Sequence, residues 1–112
     1  SVTQEPRGST VQEGQTTTMN CTYNGNPSYI FWYIQHRGQS PEYLLRISFS
    51  GNVEPSPECP SRFTSELQRE KKLSPFTLSG ALLSDSAVYL CAMMTGVYGK
   101  LIFGGGTELT VD

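Results

Sequence analysis

Cys21 and Cys91 stand seventy residues apart, with the chain's one tryptophan, Trp32, eleven residues after the first and Tyr89 two residues before the second. That separation suits cysteines on strands of two opposed sheets, and a lone tryptophan between them is the bulky group against which such a bridge packs. Tyr89 sharpens the signal, because a tyrosine placed there buries its ring and returns its hydroxyl to backbone near Asp85. Closing a loop of this length restricts the unfolded chain by roughly 4 kcal/mol in the chain-entropy model, a large share of a small domain's stability.

Alternation says what kind of strands these are. Thr17, Met19, Cys21 and Tyr23 point one way while Thr16, Thr18, Asn20 and Thr22 point the other, a core-in, polar-out pattern. The same parity puts Ile30, Trp32 and Ile34 on a core face and Phe31, Tyr33 and Gln35 on the opposite one. The turn Arg37-Gly38-Gln39-Ser40-Pro41 reverses the chain into Tyr43–Ile47. Phe76-Thr77-Leu78 reads as a half-buried strand, and Ala87, Tyr89 and Cys91 face inward while Val88 and Leu90 face out. A last strand from Lys100 to Val111 is interrupted by Gly104-Gly105-Gly106, where a bulge fits. No segment carries a helical period, so the expected fold is all-β.

Parity leaves Phe31, Tyr33, Tyr43, Leu90 and Phe103, with Val88 at the margin, on the outward face of one sheet. A soluble monomer rarely leaves such a patch wet, which points to a partner domain covering about 600–800 Å² on each side, with Gln35 placed for a polar contact at its centre.

Length and composition exclude several functions. The 112 residues suit one domain, expected to span 1–112, and a net charge of −2 with no long run of one sign offers nothing to nucleic acid. No apolar stretch approaches the about 20 residues that cross a bilayer, and the amino terminus lacks a charged region followed by an apolar core, so any signal or anchor is expected outside this chain. With His36 the one histidine and no close-spaced cysteines, neither a metal nor a cofactor is expected. His36 follows a buried-strand pattern without a serine or cysteine placed beside it, so no catalytic residues and no enzyme activity are expected. Gly104-Gly105-Gly106 is no phosphate cradle, since no helix follows and no lysine is placed to reach a phosphate.

The motifs Trp32-Tyr33-Ile34-Gln35, Gly38-Gln39-Ser40-Pro41, Arg62-Phe63, Asp85-Ser86-Ala87-Val88-Tyr89-Leu90-Cys91-Ala92 and Phe103-Gly104-Gly105-Gly106-Thr107 occur in the order seen in antigen-receptor variable domains. From about Thr3 to Val111 the chain resembles an immunoglobulin variable domain, and the Phe-Gly-x-Gly element is similar to a segment from a joining gene, about 98–112. Tyr89-Leu90-Cys91-Ala92 and Gln15–Cys21 look most like a T-cell receptor alpha chain, with the delta chain as an alternative. Pro60-Ser61-Arg62-Phe63 and the run after Phe103 pull toward an immunoglobulin light chain. An adhesion or co-receptor domain is the alternative from another class, and the joining-type element argues against it.

The resemblance implies a two-sheet Greek-key sandwich with a Cys21–Cys91 disulfide around Trp32 and Tyr89. It implies that Tyr33, Gln35, Pro41, Tyr43, Leu90 and Phe103 contact a beta-type variable domain, and that Arg62 and Asp85 form an ion pair at the lower end. It further implies three loops that read a peptide held by an MHC molecule. The first takes in Asn24, Asn26, Ser28 and Tyr29, the second Ser48, Phe49, Ser50 and Asn52, and the third Met93, Met94, Thr95, Val97 and Tyr98 up to Lys100. Both methionines are expected at an exposed site, where thioethers adapt to varied surfaces. The implied setting is the extracellular part of a plasma-membrane receptor, without membrane contact by this domain and with self-pairing when isolated. Cys59, in the proline-rich turn Pro55–Pro60, departs from the pattern and is expected to be exposed; a free thiol is the favoured reading, with a second bridge to something outside this chain or a handle for linking a ligand or partner as alternatives. Asn20-Cys21-Thr22 matches the glycosylation triplet, with outward parity for Asn20.

Overall fold

A computed structural model describes residues 1–96 and 99–112. Among these, eleven strands and one short 3-10 turn, Leu83–Asp85, make up the regular structure. The strands are β1 (Val2–Glu5), β2 (Gly8–Val11), β3 (Thr17–Tyr23), β4 (Tyr29–Gln35), β5 (Glu42–Ser48), β6 (Val53–Pro55), β7 (Phe63–Ser65), β8 (Leu73–Leu78), β9 (Ala87–Thr95), β10 (Lys100–Phe103) and β11 (Thr107–Val111). One sheet runs β1-β3-β8-β7; the other runs β2-β11-β9-β4-β5-β6, with β10 also on β9. The result is the expected all-β sandwich, and the Cys21–Cys91 disulfide ties β3 of the first sheet to β9 of the second, with Cα atoms 6.3 Å apart.

Between the sheets, the apolar side of each alternating strand makes the core. Trp32 lies opposite Cys91 in the β4–β9 register and is fully buried, its ring 5.0 Å from that of Phe76. Tyr89 is equally buried and donates its hydroxyl hydrogen bond to the Asp85 carbonyl at 2.7 Å; burial drives its phenol pKa well above the ordinary value. The parity of β3 is as the sequence suggests, with Met19, Cys21 and Tyr23 inside and Asn20 exposed. In β4 and β5 a register shift between Trp32 and Tyr33 inserts an extra residue opposite. Consequently Leu44 and Leu45 are both buried while Tyr43 stays outside, a change of facing that strict alternation does not predict.

The expected single last strand is two. β10 and β11 are separated by Gly104–Gly106, and the reason is Gln4, whose amide crosses between the sheets. Its Nε2 donates to the Tyr89 carbonyl at 2.9 Å, and its Oε1 accepts from the N–H groups of Cys91 at 3.0 Å and Gly106 at 2.9 Å. A Cβ on Gly104 would lie 2.7 Å from Gln4 Oε1, and Gly106, at φ 90°, approaches the Val88 side chain. The glycines therefore make room for a buried side chain that satisfies three backbone groups at once.

At the lower end Arg62 Nη2 donates to Asp85 Oδ1 at 2.8 Å and Nη1 donates to Oδ2, which also accepts the Leu82 N–H at 2.8 Å. Burial alone pushes the Asp85 carboxyl up, but the Arg62 hydrogen bonds, the Leu82 N–H and the Arg62 charge together outweigh it and hold the group below its ordinary value. His36 ends up half-buried just beyond β4, its Nε2 3.3 Å from the Ser84 carbonyl, rather than inside a strand.

Two stability tests follow from these contacts. Gly104→Ala is expected to cost about 1–3 kcal/mol in urea unfolding, whereas Gly105→Ala, which meets no atom within 4 Å, stays within about 0.5 kcal/mol. A depressed Asp85 pKa contributes stability that is present above the unfolded carboxyl pKa of about 3.9 and is lost as pH falls through the folded value. Asp85→Asn is therefore expected to cost about 1–3 kcal/mol at neutral pH. The gap to the parent should stay level down to about pH 5 and then narrow on acidification.

Candidate functional site

The outer face of the seven-stranded sheet is built by residues that alternate with the buried ones on β4 and β9. Tyr33 neighbours Trp32, and Leu90 neighbours Cys91; the two outward residues are paired in register. The Tyr33 ring lies 5.5 Å from Phe103, 6.2 Å from Phe31 and 6.3 Å from Tyr43. Phe103 is 46% exposed and Tyr43 37%, with Pro41 exposed beside them and Tyr33, Gln35 and Leu90 half-buried. Burial raises the phenol pKa of both Tyr33 and Tyr43, so each remains a neutral hydrogen-bonding group. An open depression of about 360 Å³ is lined by Phe31, Tyr33, Tyr43, Arg46 and Glu54.

Polar contacts hold this face in shape. Tyr43 Oη donates to the Glu54 carbonyl at 2.7 Å, and Arg46 Nη2 lies 2.7 Å from Glu54 Oε1 while its guanidinium sits 4.3 Å over the Tyr29 ring. Arg46 and Glu54 join the base of the first loop to the edge of the sheet, a link across strands that local pattern could not reveal. Gln35 Nε2 donates to the Gln39 carbonyl at 2.9 Å, so the amide expected to face a partner is already fixed by its own turn.

Three expectations about exposure are corrected by the structure, those for Phe31, Met93 and Cys59. Phe31 does lie on the outer face, yet it is 8% exposed, because the rings of Tyr29, Tyr33 and Tyr43 surround it. Met93 belongs to the core and not to an exposed loop. β9 continues to Thr95, pairing Met93 with Ile30 on one side and Ile102 on the other, so Met93 keeps the inward parity of Cys91 and is 5% exposed. Met94 and Thr95 are half-buried strand residues. The connection between β9 and β10 is only 96–99; Val97 and Tyr98 lie outside the described residues.

The first two loops meet the top of β9. Ser28 donates its N–H to the Met94 carbonyl at 3.0 Å, and Phe49 donates its N–H to the Ser28 carbonyl at 3.0 Å. In the second loop Ser48 Oγ lies 2.8 Å from Ser50 Oγ and accepts the Asn52 N–H at 3.1 Å, around a turn that needs Gly51 at φ 101°. Asn24, Asn26, Phe49, Ser50 and Asn52 are exposed, and Tyr29 begins β4 in a half-buried position.

Cys59 is unpaired but not exposed. It is half-buried against the core, and burial pushes its thiol pKa up. The proline-rich sequence suggests an open turn; instead the Ser56 N–H bonds to the Leu44 carbonyl and folds the segment inward.

The family model for the immunoglobulin V-set domain matches residues 4–112. The chain is 40% identical over 112 residues to the Mus musculus protein "T-cell receptor alpha chain V region CTL-F3", covering 99% of this chain and 81% of that one. It is 39% identical to the Mus musculus "T-cell receptor alpha chain V region 2B4", covering 98% and 82%. A solved structure described as "Structural basis of T cell specificity and activation by the bacterial superantigen toxic shock syndrome toxin-1" superposes with a TM-score of 0.91 at 26% identity, covering 100% of this chain and 98% of that one.

Half-burial of Cys59 gives a direct chemical check. Iodoacetamide is expected to label one thiol per chain, at least about tenfold more slowly in the native protein than in denaturant, because the reacting thiolate is both scarce and shielded. Equal rates would place Cys59 in an open turn.

Proposed function

The chain belongs to the immunoglobulin V-set family, as an alpha-type variable domain of the T-cell receptor, and from that premise we propose that it pairs with a beta-type variable domain and reads peptide presented by an MHC molecule. In this reading Tyr33, Gln35, Pro41, Tyr43, Leu90 and Phe103 contact the partner domain. The loops 24–29, 48–53 and 96–99 contact peptide and presenting molecule, with Met94 and Thr95 supporting the third from below.

The observation that carries the pairing is the aromatic face around Tyr33, left open beside the half-buried Leu90 while every neighbouring inward residue is packed. Covering it with a flat partner face of about 800 Å² removes apolar area from water without disturbing the core on the opposite side. Isolated, the domain pairs weakly with itself through the same face. Similarity to alpha-chain regions over almost the whole chain does not favour a delta chain, an antibody light chain or an adhesion domain. The families matched are receptor-type, and we place the domain outside the cell on a membrane receptor. No helix of the described residues is long and apolar enough to cross a membrane.

Loop composition supports recognition by adaptable contacts. Asn24, Asn26, Ser50 and Asn52 offer donors and acceptors at little cost in order, and Phe49 offers a larger anchor.

Mixing the chain with a beta-type variable domain is expected to give a 1:1 complex by light scattering, and Phe103→Glu is expected to weaken it at least about tenfold while leaving the circular dichroism of the isolated domain unchanged. Unaltered affinity in that variant would remove this face from the interface. The paired receptor is then expected to bind a subset of a peptide–MHC panel, and loss of that binding on Phe49→Ala would tie it to the loops.

A further inference from the structure

Asn20 is the one asparagine of four that stands in an acceptor triplet for N-linked sugar, Asn20-Cys21-Thr22. Asn26 is followed by proline, and Asn24 and Asn52 have no hydroxyl residue two places on. β3 turns the Asn20 side chain away from the core, between Glu5 of β1 and Pro75 of β8 in register, and leaves it exposed. Thr18 and Thr22 are exposed on the same side, and Thr18 Oγ1 lies 3.1 Å from Thr77 Oγ1 of the neighbouring strand. No aromatic ring stands among the outward residues that the described strands pair across this sheet. A bulky polar group attached at Asn20 therefore displaces no packed side chain, and it lies on the far side of the sandwich from Tyr33 and Phe103.

Folding closes this triplet to modification. Sugar transfer requires a flexible segment in which the hydroxyl of the third residue approaches the asparagine amide, whereas an extended strand holds residues two apart at roughly 6.6 Å. Thr22 Oγ1 donates instead to the Thr3 carbonyl at 3.4 Å, and β3 is paired along both edges, to β1 and to β8. Cys21, in the middle of the triplet, is fully buried and bridged to Cys91. Transfer must therefore come before the bridge. Cys91 lies 70 residues downstream. At about 5–20 residues per second of synthesis it is made roughly 4–14 s after Cys21, and for most of that interval β8 does not exist either.

We propose that Asn20 carries an N-linked glycan, added to the growing chain before the Cys21–Cys91 bridge closes, which covers the outer face of the four-stranded sheet and leaves the aromatic face open. The inference rests on the extracellular placement in the proposed function, and the disulfide itself points to the oxidising compartment in which such transfer takes place. In the transfer, the Asn20 amide nitrogen forms a bond to C1 of the first sugar of a lipid-pyrophosphate-linked oligosaccharide. The bond from C1 to the pyrophosphate oxygen breaks, and the amide proton and the lipid pyrophosphate leave. The attached sugar is bulky and solvated, so it confines partner contact to the opposite sheet.

Secreted from a eukaryotic cell line, the chain is expected to exceed its sequence mass, and an amidase that removes N-linked glycans should take away the excess and leave aspartate at position 20. Asn20→Gln and Thr22→Val should lose the excess mass, while Thr22→Ser keeps it. Near-ultraviolet circular dichroism of the Asn20→Gln domain should match that of the amidase-treated parent. The order of events is read with purified oligosaccharyltransferase and its lipid-linked donor: the reduced, unfolded chain should accept sugar and the folded, bridged domain should not. A folded chain secreted without sugar, excess mass that survives Asn20→Gln, no transfer to the reduced chain, or transfer to the bridged domain as readily as to the reduced chain would overturn the proposal. A glycosylated domain that pairs with no beta-type variable domain would overturn the proposed function alone, and a paired domain from the same cells with Asn20 unmodified would overturn this inference alone.

Discussion

Two-residue alternation on β4 and β9, locked by the Cys21–Cys91 bridge, is the constraint on which the rest depends. Once Cys91 must reach across to β3, the inward set on β9 is decided, and Leu90 is turned out by the geometry of the strand. Trp32 sits opposite Cys91 in register, so β4 obeys the same rule and turns Tyr33 outward. The buried pin and the aromatic face are therefore two sides of the same pair of strands. A one-residue slip would exchange them, burying Tyr33 and exposing Trp32, and the bridge forbids it.

Gln4 completes this arrangement by polar means. The three backbone groups it satisfies belong to Tyr89, Cys91 and Gly106, so one side chain on β1 ties the first sheet to the strand carrying the second cysteine and to the segment entering β11. In a dry interior an amide paired in this way is favourable, and losing it would leave several orphaned backbone groups at once. Asp85 does comparable service at the lower end, receiving Arg62 and the Leu82 N–H while its carbonyl accepts from Tyr89. Together these two polar centres brace β9 at separate points along its length. That leaves its upper end free to serve as a common base for loop contacts at Met94.

What could be read from the sequence was whatever depends on neighbours along the chain. Alternation from Thr17 to Tyr23 and from Ile30 to Gln35 is a local property, and it holds in the structure. Features made by residues distant in sequence were less accessible. The inward facing of both Leu44 and Leu45 comes from the register shift opposite Trp32 and Tyr33, which no composition announces. Burial of Phe31 comes from rings brought in by β5 as well as β4. Met93 follows a motif that ends at Ala92 and so reads as loop, although simple continuation of the Cys91 parity places it inside. The glycines at 104–106 signalled an interruption, but nothing near them pointed to Gln4, a hundred residues earlier, as its cause. Of the loop end, the first two connections were legible as segments between strands, whereas the third starts later than the motif suggests because β9 runs on to Thr95, and the tie from Arg69 to Phe49 depends on where β7 and β8 deliver the turn between them.

Solvent footprinting of side chains in the domain alone and in its complex with a beta-type variable domain tests the back-to-back arrangement most directly. The account predicts that Trp32 and Tyr89 resist labelling in both states, while Tyr33, Tyr43, Leu90 and Phe103 label in the free domain and become protected together on pairing. Protection falling on the outer side of the four-stranded sheet, around Asn20 and Thr77, with Tyr33 and Phe103 unchanged, would contradict it.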